Sequence, residues 1–445
     1  MTIVYLPVVR RKFDAELAQQ RFTATQAALR LAIPDLVSPA APLGEPAELL
    51  AFIETLDQEP TALIVQQLTF TGQEFINELI SRYAVPVLLL AEEEPSVHGW
   101  LHLNALTGLL STANALHTHG LPYQQYLGGV DTPQGAQVVR QFVSSVQAYQ
   151  AIHHLTLGVV SDHPTGFDFS GTVPRDLTRT FGVQLKHYSI DQAFAAAEQL
   201  APADYAPQLE YARQHLHGLD VEDPRAIKMA QYLTVMHQKI DQDHLGALAS
   251  RCWPDFFDKF DSAPGGVFSQ LTAQLTPVAE EGDIHGAVSM ALLQALTGNT
   301  APAFLGDVTR LDPTDNTVTL WHDYGAYQLC NPDYPATAGV HPNRHVGVSV
   351  DGALKPGPVT LLRVHWDQQG YRLLSFTGRA LAVEPQFNGV SGKVQVTLPV
   401  TQLLDRLAQS GAESHFALIY GDYAPAVTWL GRWLGVPVTT LDQEG

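Results

Sequence analysis

The feature that most constrains the fold of this chain is a change of rhythm about two-thirds of the way along it. Near the N-terminus, short apolar runs at 3–9, 62–65 and 85–90 have the length and density of strands buried on both faces. Between them, residues 17–31 and 73–82 repeat their apolar side chains at helical spacing. Such alternation predicts a parallel sheet covered by helices over residues 1–150. A second unit begins near His153, where LTLGVVSDHPTGF reads as a strand running into a Gly/Pro loop. Helix, strand and helix follow at 175–181, at FGVQLKHYSI and at 191–200, so residues 151–300 are expected to form a second α/β domain. After residue 300 the pattern shortens. Segments 317–321, 346–350, 359–366, 371–379 and 393–398 are rich in Val, Thr and aromatics and punctuated by Gly or Pro, as in a barrel or sandwich. Helix, strand, helix and strand close the chain at 401–408, 415–420, 424–434 and 436–441. The expected architecture is two Rossmann-like α/β domains followed by a C-terminal β-rich, barrel-like domain over 301–445.

Composition narrows the function. With 45% hydrophobic and 16% charged residues, the chain can build cores and is not a disordered polymer. Its 25 basic and 45 acidic residues give a net charge of −20, which disfavours general binding to nucleic acid or anionic membrane. The one local basic cluster is Arg10-Arg11-Lys12. Two distant cysteines, Cys252 and Cys330, make no disulfide framework and suit a reducing compartment. The N-terminal apolar run precedes its basic residues, the reverse of a secretory signal, and no run reaches the length of a membrane span. The expectation is a cytoplasmic protein.

Three stretches carry polar residues where chemistry could sit. In AEEGDIHGAVSMALLQALTG, a carboxylate pair and a glycine open a helix read as 285–296. Acidic residues there also serve as solvated caps. In AFLGDVTRLDPTDN, Asp307 is read at the C-terminal end of a short strand, a place for a ligand or a turn. In GAESHFALIYGD, His415 begins an interior strand. Two carboxylates and one imidazole form a donor set that hard or borderline divalent cations accept, although spacing alone does not bring them together.

At these residues the chain resembles the L-fucose isomerase family and, more distantly, L-arabinose isomerase. Glu281-Gly282-Asp283 followed by Ala287 and Met290 is similar to the family's E-G-D-x-x-x-A-x-x-M. The likeness continues in order through Phe13-Asp14, Asn104 to Gly108, Arg251-Cys252-Trp253, Leu296-Thr297-Gly298, Asn316 to His322, LKPGPVTLLRV and His415-Phe416-Ala417. The resemblance implies an aldose–ketose isomerase working through an enediol, with a divalent metal, first of all Mn²⁺, held by Glu281, Asp307 and His415. Glu281 and Asp307 would double as the catalytic acid and base. His322, which stands where arabinose isomerases have a further histidine near the metal, joins Arg10, Asn104 and Trp253 as expected sugar-binding residues. A homotrimer or homohexamer with shared active sites is implied as well. Two departures bear on the substrate: Asp323-Tyr324 interrupts the usual H-C-G, and Arg11-Lys12 replaces part of R-P-x. Three adjacent cations suit an anionic substituent such as a sulfonate or phosphate, or form a solvated turn; L-fucose, D-arabinose, L-arabinose and an anionic sugar such as sulfoquinovose all remain open as substrates. A non-catalytic sugar-binding or regulatory protein on this scaffold, and a metal-dependent sugar epimerase or lyase, are the alternatives.

Overall fold

The computed structural model describes residues 1–443. The chain folds into two compact units. The first comprises Met1–Gln150 with Thr428–Trp433, and the second comprises Ala151–Val427 with the residues from Leu434 onward.

In the first unit, β1 (Ile3–Val8), β2 (Ala62–Gln67), β3 (Val87–Ala91) and β4 (Tyr123–Leu127) pair in parallel in that order. Side chains alternate across β1, and the helices cover both faces accordingly. Ile3 and Tyr5 pack with α1 (Ala15–Ala32) and α5 (Pro133–His153) through Phe22, Leu29, Val139 and Phe142. Val4, Leu6 and Val8 face α2 (Pro46–Ile53), α3 (Glu74–Ile80) and α4 (Ala105–Thr118). Burial on both sides is why these strands read as unbroken apolar runs.

The second unit holds a smaller parallel sheet of β5 (Thr156–Val160), β6 (Gln184–Tyr188), β7 (Ala247–Ser250) and β8 (Val278–Ala279), in the order β6-β5-β7-β8. Its helices are α6 (Pro174–Phe181), α7 (Ile190–Ala197), α8 (Pro202–His215), α9 (Pro224–Asp243), α10 (Asp255–Phe260), α11 (Gly265–Ala273) and α12 (Ile284–Leu296). The strand order reverses between β5 and β7, and a crevice at the carboxyl ends of strands on either side of such a reversal is where open α/β sheets place ligands. All of α12 except Ala291 is buried. It packs on β7 and β8 on one side and on barrel strands on the other, which is the setting of a helix apolar all round.

The remaining strands are β9 (Phe304–Asp312), β10 (Thr317–His322), β11 (Thr337–Gly339), β12 (Ser349–Ala353), β13 (Gly357–Asp367), β14 (Gly370–Ala380), β15 (Val390–Gln395), β16 (His415–Tyr420) and β17 (Val438–Thr440). Antiparallel pairing runs β15-β10-β9-β16-β13-β14 and returns from β14 to β15, closing a six-stranded barrel. A barrel, rather than a sandwich, therefore resolves the alternative left by the β-rich pattern. Closure removes the edges an open sheet would expose. Helices α13 (Val400–Gln409) and α14 (Ala424–Leu434) flank β16 in sequence.

The position of Asp307 differs from the expectation. Asp307 does not end a strand: β9 continues to Asp312, so Asp307 lies within it. The apolar run stops at Leu305 because Thr309 and Arg310 are exposed, and a strand with a solvated face needs no continuous apolar text. Both cysteines are buried free thiols. Among the described residues, no helix is long and apolar enough to cross a membrane.

Candidate active site

The loops at the carboxyl ends of β5, β7 and β8 supply one wall of the site. After β8 the chain turns sharply through Glu281 (φ 60°) and Gly282 (φ 65°) before entering α12. Left-handed backbone is costly for a glutamate, and such strain persists only where the surroundings enforce it. Gly282 donates its N–H to the Ser250 carbonyl at 3.0 Å, and a Cβ there would lie 2.9 Å from the His163 backbone. Asp283 caps α12, its Oδ1 accepting the Gly286 N–H at 2.8 Å. The helix cap is thus Asp283, which releases Glu281 from that duty.

The barrel supplies the other wall. His415, first residue of β16, stands opposite Asp307 on β9 in the antiparallel register. Nε2 of His415 lies 3.3 Å from Glu281 Oε2 and 3.5 Å from Asp307 Oδ1. Its Nδ1 lies 2.8 Å from Asp283 Oδ2. The imidazole is 1% exposed, whereas the side chains of Glu281 and Asp307 are 19% and 33% exposed, so the two acids open toward solvent where a substrate can reach them. Burial alone would lower the His415 pKa, but hydrogen bonds to Asp283 and Glu281, with the charge of Asp307, raise it to about 10. Asp283 is fully buried; burial would raise its carboxyl, yet the Arg363 guanidinium and His415 hold it well below the ordinary range.

Among the described residues, neither Glu281 nor Asp307 pairs with a lysine or arginine. Two carboxylates and an imidazole converging without a resident lysine or arginine are a donor set of the kind divalent cations accept.

A second cluster adjoins the first, with the His322 and His415 ring centroids 5.7 Å apart. His322 Nδ1 lies 3.1 Å from Asp323 Oδ1 and 3.3 Å from Glu280 Oε2. One ligand atom from each of these three buried residues lies within 4.8 Å of the others, so this triad too could hold an ion. Burial and the neighbouring Asp323 charge push the Glu280 carboxyl well up. Burial opposes ionisation of Asp323 as well, but hydrogen bonds to His322 and Glu280 keep its carboxyl below the ordinary value. One proton shared between two close carboxylates explains the split.

No protein-family profile matches the chain. Compared with curated proteins, it is 34% identical over 443 residues to the sulfoquinovose isomerase of Alkalicoccus urumqiensis, covering 99% of this chain and 100% of that one. It is 36% identical over 437 residues to the sulfoquinovose isomerase of Priestia aryabhattai, covering 98% of each. The chain belongs to the sulfoquinovose isomerase family. A third relative, from Clostridium sp. (strain MSTE9), carries the same name at 32% identity over 94% of each chain. The protein is a sugar aldose–ketose isomerase.

Of the residues singled out from the sequence, Glu281, Asp307 and His415 meet around one imidazole nitrogen, and His322 lies beside them. Trp253 packs edge-on against Phe167 with centroids 5.5 Å apart. Phe167 meets Phe169 at 5.5 Å, and Phe169 meets the His415 ring at 5.7 Å, so an aromatic wall joins Trp253 to the site. Arg10 and Asn104 belong to the first unit. There Arg10 pairs with Glu74 at 3.1 Å and lies over the Phe70 ring, and Arg11 pairs with Glu48 at 2.7 Å. The basic cluster is thus partly neutralised. Asn104 opens α4 in a left-handed conformation, its Oδ1 accepting from Thr107 Oγ1 at 2.6 Å. Sequence reasoning met Glu280 in the carboxylate pair, Asp283 in the E-G-D motif and Asp323 as a departure without assigning them a place around His415 or His322, and it missed Phe169 and Arg363. Arg363 did carry a signal, since an arginine inside the apolar run VTLLRVHW must be paired to be buried.

Proposed function

We propose that this isomerase interconverts sulfoquinovose, a glucose with a sulfonate in place of its 6-hydroxyl, and the corresponding 2-ketose. Full-length similarity to four sulfoquinovose isomerases supports the choice of sugar. The observation that carries the chemistry is the approach of Glu281 and Asp307 to one nitrogen of His415, 3.3 and 3.5 Å away. We also infer kinship with the L-fucose isomerases, supported by the order of shared motifs along the chain.

Isomerisation takes a proton from C2 and returns one at C1 while the hydroxyl proton passes from O2 to O1. One group must handle the carbon-bound proton and another must serve the oxygens. Glu281 and Asp307 are assigned these duties: both are carboxylates and both open to solvent, Asp307 within β9 and Glu281 in the left-handed turn that enters α12. Phe169 and Trp253 shield the imidazole side of the pocket from water, and His322 is assigned as a sugar contact. Glu281, Asp307 and His415 would hold a divalent cation, Mn²⁺ by expectation, which when bound supplies the positive charge that stabilises the enediolate. We treat residues 151–300 and 301–445 as two domains meeting at this site, the protein as cytoplasmic, and the assembly as a homotrimer or homohexamer of 48.5 kDa chains.

A second placement of the metal, on Glu280, His322 and Asp323, is favoured by the closeness of their ligand atoms. Its acids, Glu280 and Asp323, are closed off at 3% and 1% exposure where Glu281 and Asp307 open to solvent, which suits a structural ion better than a catalytic one. The Glu281→Gln variant separates the two. It is expected to fold, to lose bound Mn²⁺ and to show no turnover of sulfoquinovose. Unchanged activity would refute the catalytic and metal-binding roles of Glu281. Loss of the metal in Glu280→Gln but not in Glu281→Gln would move it to the closed triad.

A further inference from the structure

His415 is held from behind as well as from the front. Its Nδ1 lies 2.8 Å from Asp283 Oδ2, and the same oxygen pairs with Nη1 of Arg363. The other oxygen, Oδ1, is occupied by the Gly286 N–H that starts α12. Asp283 and Arg363 are both fully buried, and a Cβ at Gly286 would collide with Asp283 Oδ2. The carboxylate therefore has one position, set jointly by a helix N-terminus and a barrel strand.

We infer that Asp283, itself clamped by Arg363, is a positioning residue that fixes the tautomer and ring orientation of His415 for metal binding. The inference rests on the reading that His415 binds the cation. A neutral imidazole that donates Nδ1–H to a carboxylate has its lone pair on Nε2, the nitrogen that faces Glu281 and Asp307. A carboxylate behind a metal-binding histidine also makes the ring a better donor, and removing such a partner commonly costs about 10–100-fold in metal affinity. An asparagine at this position keeps an oxygen for the helix cap but loses the charge and offers an amide in place of the second oxygen. Asp283→Asn thus separates capping from orientation.

The test is a Mn²⁺ titration of the metal-stripped full chain, following free Mn²⁺ by its EPR signal. It compares wild type, His415→Gln, Asp283→Asn and the double variant Asp283→Asn/Arg363→Met. The double variant removes both partners of the buried pair, so neither charge is left alone in the core. Circular dichroism and thermal melting report the fold separately. Both Asp283 variants are expected to fold and to bind Mn²⁺ about 10–100-fold more weakly than wild type. A purely structural role would lower the melting temperature and leave the affinity of the folded protein unchanged. If His415→Gln weakens binding while the folded Asp283 variants stay within twofold of wild type, the positioning role is overturned and the metal assignment stands. If His415→Gln itself binds like wild type, it is the metal assignment that fails. Failure of both Asp283 variants to fold would make Asp283 a scaffold residue and end the proposal.

Discussion

His415 sits among three carboxylates, Glu281, Asp283 and Asp307, and the arrangement divides their labour by burial. Asp283, enclosed and paired with Arg363 and His415, is closed to substrate. Glu281 and Asp307, part-exposed and, among the described residues, unpaired by lysine or arginine, are the two acids proposed to exchange protons with a substrate. Against the effect of burial, hydrogen bonds to Asp283 and Glu281, with the charges of Asp283 and Asp307, lift the His415 pKa to about 10. Asp307→Asn tests the division directly. Loss of a positioned acid–base group is expected to lower kcat about 10²–10⁴-fold, with the melting temperature of the metal-stripped protein nearly unchanged because the side chain is part-exposed. Steady-state kinetics with a melting curve will show it. A kcat within tenfold of wild type would remove Asp307 from the acid–base role.

At the scale of elements, α12 is packed between the small parallel sheet and the barrel, and its entry turn carries the strain. Gly282→Ala places a Cβ in a left-handed turn against the His163 backbone. It is expected to destabilise the fold by about 1–3 kcal/mol and to lower activity in the surviving folded protein by shifting Glu281; urea unfolding and kinetics measure the two effects. The first turn of α12 also buries His285, whose Nε2 lies 3.1 Å from Thr172 Oγ1. Burial, reinforced by the positive charge of Arg363, pushes its pKa down to about 4. The folded protein therefore keeps His285 neutral while the unfolded chain protonates it at its ordinary value of about 6.5. Between those values the unfolded state binds more protons, so stability falls as pH drops from about 6.5 to about 4, by about 3 kcal/mol for this group. Denaturant unfolding across that window should show the slope in wild type and a shallower one in His285→Gln. Equal slopes would mean that His285 is already charged in the fold.

For the whole molecule, a metal that bridges Glu281 on the α/β side and Asp307 and His415 on the barrel would tie the two parts of the second unit together. Anything that binds only the folded state stabilises it by mass action, about 2.7 kcal/mol at a hundred times its Kd. Stripping the protein with a chelator is expected to abolish turnover and lower the melting temperature, and Mn²⁺ should restore both. Turnover that persists in demonstrably metal-free protein would contradict the metal-dependent reading.

Much of this protein was legible as text. Apolar runs buried on both faces announced the parallel sheets, and short Val- and Thr-rich segments announced the β-rich part, because periodicity records which faces meet water. The residue types of the site were legible too, through the E-G-D turn, the Asp of β9 and the His of β16. What the text could not contain was their convergence. His415 and Asp307 face each other only because the late strand β16 pairs with β9 in the sheet, and Glu281 joins them only because α12 is wedged between sheet and barrel. The roles of Asp283 and Arg363 lay further out of reach. A cap and a core arginine, 80 positions apart, become one buried pair through tertiary packing alone. Local pattern specifies elements, since each residue's neighbours in sequence set its backbone and exposed face. Charge, burial and ligand geometry belong to groups that meet only when the chain is folded.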